Sequence, residues 1–407
     1  MVFAITLAGL HLMALAVAGA DPVVGRSVFA LCQAALGAVV LVYGPTRRAA
    51  FAVLSHYWIA ALAFGALLLL AAWQAGMFGA PHGALNPFAA QTEVWSLAAL
   101  FFAVLAPAAA AGASGRRPLF EAFLIACLAF AALDIGRKLQ AGPEQTLLAT
   151  AQETAEIYAL AALFAAFAAY DSVRSPPRDR AHRRVSMRLM LPGAALGASI
   201  LGLVLCNAPL ALAALLAGLG VMGLGLAIRE WPRRLAFVNG LAGLASIGLA
   251  ILAFVIFGKA GDPFGVADLH DSFSTAVKGS FGLGSGAEGG PVLTWLVEAG
   301  VWGAAALLLA GFMFAARLAF SGDRRKAPSR GLALALGALA TSLLAGPGGL
   351  SPAGAATLAI IIGMAANYAD ALRLSQRAAR AAKQKQSEPE ASAADSPGED
   401  TSAAQPA

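Results

Sequence analysis

The residues best suited to chemistry lie in a stretch rich in Gly, Asp and Ser, roughly residues 258–291. It reads Asp268-Leu269-His270-Asp271-Ser272-Phe273, then Lys278-Gly279-Ser280-Phe281-Gly282-Leu283-Gly284, and ends Glu288-Gly289-Gly290-Pro291. A neutral imidazole accepts a proton near pH 7, so His270 suits general-base work; a loop histidine exposed to water looks the same in sequence. Other ionisable residues, His11, His56, Glu121, Asp134, Glu153, Glu156 and Glu298, fall within apolar surroundings. There each costs a few kcal/mol unless it reaches water or a partner. Glu121, Asp134, Glu153 and Glu156 lie near the ends of apolar runs, where a carboxylate is expected to reach water. Glu153 and Glu156 would also sit in a first helical turn, which favours negative charge. His11 and His56 read as neutral, hydrogen-bonded interior histidines. No ladder of Asp, Glu, His and Arg runs through successive apolar runs, as a proton-coupled transporter would want.

Several patterns carry less chemistry than their letters suggest. Gly218, Gly220 and Gly223 spell GxGxxG, yet lie inside an apolar run with no strand before them and no acidic residue after. Cys32, Cys127 and Cys206 are far apart in apolar surroundings and read as small core residues. No acidic or histidine cluster has ligand spacing, so neither a metal nor another cofactor is expected. Gly193 and Gly197 form a GxxxG, a device for close helix packing.

The elements that must position these residues are set by composition. Of 407 residues, 59% are hydrophobic and 12% charged, with a mean hydropathy of +0.74. A soluble domain carries about 25% charged residues, so the apolar surplus has no aqueous core to hide in. Apolar runs recur at roughly 2–20, 27–43, 51–73, 95–113, 119–134, 152–170, 189–206, 210–227, 235–257, 292–316, 331–345 and 353–372. Runs of this length suit helices crossing about 30 Å of hydrocarbon. The fold class expected is therefore all-α, a polytopic membrane protein with about 12 transmembrane helices. The first run, with Ala18-Gly19-Ala20 as a passable cleavage site, is read as a retained helix rather than a signal peptide.

Basic residues test that division independently. The joins after every second run hold 23 of the 28 Lys and Arg; Arg26, Arg137, Lys138, Lys259 and Lys278 fall in the others. Cytoplasmic loops accumulate positive charge, so both termini are expected in the cytoplasm, with a large periplasmic loop between helices 9 and 10. The net charge of +6 thus points to membrane orientation rather than to nucleic acid. Residues 1–385 form the membrane domain, in contact with the lipid bilayer. Residues 386–407, a Ser/Glu/Pro/Ala/Asp tail, are expected to be disordered in the cytoplasm.

After that loop the chain continues Val292-Leu293-Thr294-Trp295-Leu296-Val297-Glu298-Ala299-Gly300-Val301-Trp302-Gly303. Residues 268–303 resemble the O-antigen ligase and polymerase superfamily of bacterial membrane glycosyltransferases. In that family a long periplasmic loop with a GxG precedes a helix that begins like HNxxLxxxxExG, followed by a further glycine. Leu293, Glu298, Gly300 and Gly303 fit the helix pattern, and Gly282 and Gly284 the GxG. The resemblance implies a multi-pass protein of the bacterial inner membrane that moves a glycan from a polyprenyl-pyrophosphate donor, with other polysaccharide-assembly proteins as partners. His270 or Glu288 would be the catalytic base. Lys278, Arg137 and Lys138 would bind the substrate's phosphates, although Lys278 suits a headgroup anchor equally. Gly289 and Gly290 stand where the family has its His-Asn pair, and the loop holds no arginine. Those departures keep two other readings open, a non-enzymatic scaffold of that family and a transporter or flippase-like protein. Phe264, Phe273 and Phe281 lead to the expectation that residues 262–290 fold back over a cavity, with a short helix at 269–277.

Overall fold

The computed structural model describes residues 22–79, 87–114, 116–142, 145–148, 150–174, 183–231, 234–258, 291–320, 329–345 and 351–368. The first expected span and the tail at 386–407 lie outside them. Among the described residues the fold is all-helical. In chain order the helices are α1 (Pro22–Val42), α2 (Gly44–His56), α3 (Trp58–Gln74), α4 (Pro87–Ser114), α5 (Arg116–Ala141) and α6 (Ala151–Arg174). They continue as α7 (Arg183–Leu205), α8 (Pro209–Glu230), α9 (Arg234–Phe257), α10 (Pro291–Phe320), α11 (Arg330–Leu344) and α12 (Pro352–Ala366). Five helices are long and apolar enough to cross a membrane, or six if one bent pair counts as a span. Shorter apolar helices accompany them, so the protein has the character of a polytopic membrane protein.

Lipid-like surroundings explain the outer surface. Along α9, Phe237, Leu241, Leu244, Leu252, Val255 and Ile256 are all exposed. In water such a face would be a severe liability; in hydrocarbon it is the expected covering. The opposite case is α6, whose residues from Thr154 to Ala168 are buried almost without exception. It is the axle of the bundle. Its rings meet neighbours edge to face, Phe164 against both Phe120 and Phe123 and Phe167 against Tyr368.

Two expectations about packing need correction. The apolar run 51–73 is not one helix: it breaks at Tyr57, and α2 and α3 meet at 91°. The turn is held by the Tyr57 hydroxyl, which donates to the Ala366 carbonyl, and by stacking of its ring on Phe314. Gly193 and Gly197 are not packing glycines among the described residues, because a Cβ at either would meet nothing within 4 Å there. That work falls to the glycines of the GxGxxG letters. Gly220 and Gly243 bring α8 and α9 together, the Gly220 carbonyl lying 2.9 Å from where a Cβ on Gly243 would stand. Gly218 and Gly337 do the same for α8 and α11, leaving room for Thr341.

Contacts between helix ends sort the bundle into two ends. Leu210 at the start of α8, Phe254 near the end of α9 and Ala345 just after α11 share one cluster. Gln152 in the first turn of α6 donates to the Ala345 carbonyl, so the N-terminal end of α6 belongs with them. At the opposite end, the last turn of α6 meets the last residue of α8 and the first of α11.

Candidate functional site

Three buried polar centres interrupt this apolar bundle, two at the N-terminal end of α6 and one at the other end. The first is built on α5. Asp134 and Lys138, one turn apart, form an ion pair of 2.8 Å with side chains 0% and 3% exposed. The Tyr158 hydroxyl of α6 donates to the same carboxylate at 2.8 Å, and the Leu147 N–H donates to its other oxygen at 2.8 Å. Lys138 also donates to the Cys206 sulfur at 2.9 Å. The Tyr158 ring fills the space beside Gly202, so that α5, α6, α7 and the 145–148 segment converge on one carboxylate.

The second centre is Glu156, 4% exposed. Ser342 donates to one carboxylate oxygen at 3.1 Å; the Ser351 hydroxyl and N–H donate to the other at 2.9 and 3.2 Å. Ser351 is itself the N-cap of α12, accepting from the Gly354 N–H at 2.9 Å. The carboxylate therefore sits at a helix N-terminus, where backbone donors and the macrodipole favour negative charge. It occupies the volume a side chain on Gly354 would need.

The third centre closes the far end. Glu230 accepts from the Tyr170 hydroxyl at 2.5 Å and pairs with Arg174. Arg330 pairs with Asp171 at 2.9 Å, its guanidinium 6.0 Å from the Tyr170 ring centre. Nearby, Arg116 lies over the Tyr368 ring at 4.1 Å. Between the two ends, residues 159–169 of α6 are Ala, Leu and Phe only, about 16 Å of apolar helix.

Against this geometry the sequence-derived sites divide. His270, Lys278 and Glu288 lie outside the described residues, as does the expected 262–290 fold-back. Arg137 is exposed on α5, whereas its neighbour Lys138 is buried and committed to Asp134 and Cys206. Asp134 and Glu156 do not reach water as expected; they are interior groups saturated by hydrogen bonds. Glu121 does reach the surface, in an exposed pair with Arg117 at 2.6 Å. His56 is half-buried at the α2–α3 bend, edge-on to Tyr57, and its Nε2 has no hydrogen-bond partner among the described residues. Among the described residues no three His, Cys, Asp or Glu side chains gather where a metal ion could sit.

Sequence reasoning missed Tyr158, Cys206, Ser342 and Ser351 as partners. The one local signal was the i, i+4 spacing of Asp134 and Lys138, which places opposite charges on one helix face. The Asp134 and Glu156 centres are closed, their donors and acceptors spent on one another.

The fold and its polar centres define a helical membrane protein. No protein family, no curated protein and no solved structure matches this chain.

Proposed function

We propose that this chain is an inner-membrane protein of bacterial surface polysaccharide assembly, acting at the periplasmic face on a polyprenyl-pyrophosphate-linked glycan. In this reading the chain spans the membrane twelve times, with the N-terminal end of α6 outside and both termini in the cytoplasm. The distribution of 23 of the 28 basic residues supports that orientation.

The observation that carries the reading is the placement of charge. Two buried polar centres, one of them an ion pair, lie at the end of the bundle where residue 258 leaves α9, and about 16 Å of purely apolar α6 separates them from the third. A translocation path beside α6 would need polar groups at mid-depth, and α6 offers none between residues 159 and 169. The resemblance of residues 268–303 to O-antigen ligases and polymerases then supplies the reaction class. An acceptor hydroxyl attacks the anomeric carbon of the donor sugar, the bond to the pyrophosphate oxygen breaks, and polyprenyl pyrophosphate leaves. His270 or Glu288 takes the hydroxyl proton, while Lys278 and Arg137 hold the pyrophosphate. Lys138 supports from behind, through its pair with Asp134, rather than from the substrate side.

One feature favours a scaffold instead: Gly289 and Gly290 occupy the positions of the family's His-Asn pair. The two readings part in a complementation assay. His270→Ala and Lys278→Ala should each abolish glycan transfer in a deletion strain, with lipid-linked glycan accumulating and protein level unchanged. Full complementation by both variants would make the scaffold the better account.

A further inference from the structure

The bend at Tyr57 gives α2 a role of its own. Its 13 residues run at 91° to α3. If α3 crosses the bilayer, α2 lies along its surface. One face of α2, Thr46, Ala50 and Val53, is buried against the bundle. The opposite face carries Arg47, Arg48, Phe51 and Ser55, all exposed, with Phe51 61% exposed. Helical spacing of 100° per residue puts these four within about one-third of the circumference. Tyr43 and Trp58, aromatic residues of the kind that sit at headgroup level, flank the helix and are exposed as well. Arg317, exposed in the last turn of α10 one turn after Phe314, which stacks on Tyr57, extends the basic surface.

A helix buried on one side and bearing two arginines around a phenylalanine on the other matches the chemistry of a bilayer interface. The ring enters the acyl boundary while the guanidinium groups meet phosphate. Tyr57 ties α2 to the Ala366 carbonyl at the end of α12, so α2 belongs to the arginine-bearing end of the bundle. That is the end the charge distribution assigns to the cytoplasmic leaflet, where anionic lipids concentrate. We infer that α2 is an in-plane anchor whose Arg47 and Arg48 bind the headgroups of anionic phospholipids. The inference stands apart from glycan transfer and requires that the chain be embedded in a bilayer with this end at a leaflet that carries anionic lipid.

Hydrogen exchange of residues 44–56 tests it, with the full-length protein in nanodiscs of phosphatidylcholine alone or with 30% phosphatidylglycerol. Attraction of each arginine to an anionic surface is worth about fivefold, so exchange should slow by roughly tenfold or more with phosphatidylglycerol. Arg47→Gln/Arg48→Gln should lose that difference while eluting as the same monodisperse species. Arg47→Lys/Arg48→Lys should keep it, because the attraction is largely Coulombic. Inorganic phosphate added to phosphatidylcholine discs should not reproduce it. Equal exchange of the wild type in both lipids, equal protection from free phosphate, or a difference that survives in the Gln variant would each overturn the inference.

Discussion

Replacing Lys138 by Met leaves the Asp134 carboxylate buried, 0% exposed, without its cation. Removing one partner of a buried ion pair costs about 3–5 kcal/mol, because the remaining charge keeps its desolvation penalty and loses its compensation. Asp134 retains the Tyr158 hydroxyl and the Leu147 N–H, both at 2.8 Å, so the loss should fall near the lower end, about 3 kcal/mol. The Cys206 sulfur also loses a donor, a smaller effect since sulfur is a weak acceptor. Reversible unfolding of the purified protein by SDS in mixed micelles, followed by far-ultraviolet circular dichroism, measures wild type and variant. Lys138→Met within about 1 kcal/mol of wild type would refute the placement of this pair.

Other outcomes follow from the same packing. Gly202→Ala puts a methyl group into the Tyr158 ring and should cost about 1–3 kcal/mol in that assay, whereas Gly197→Ala, facing open space, should stay within about 0.5. Arg174→Ala strands the buried Glu230 carboxylate and should lower the thermal midpoint in detergent clearly. Arg117→Ala breaks only an exposed pair worth at most about 1 kcal/mol and should not. Deleting residues 388–407 should leave expression and elution profile unchanged, because that segment has nothing apolar to bury.

The contrast between what the sequence disclosed and what it hid has physical causes. Hydropathy over a window of about 20 residues is a strong signal, and all but one of the runs from 27–43 onward coincide with a single helix. The exception, 51–73, hid its break because apolar residues continue on both sides of Tyr57; only Ser55-His56-Tyr57 marked it. Asp134 and Glu156 look like span-end carboxylates since their solvation depends on partners remote in the chain. Tyr158 is 24 residues from Asp134, and Ser342 and Ser351 are 186 and 195 from Glu156. The work of the GxGxxG glycines in joining α8 to α9 and α11 was visible only once the partner glycines, Gly243 and Gly337, were in place.

Everything proposed about function rests on which end of the bundle faces outward, and dual-reporter fusions measure that directly. Alkaline phosphatase joined after Gly286 or Ala84 should be active and the matching fluorescent-protein fusions dark. Fusions at Arg180 and Arg325 should show the reverse. Phosphatase activity at Arg180, or a fluorescent fusion at Gly286, would put the Asp134 and Glu156 centres on the cytoplasmic side and contradict an outer-face role.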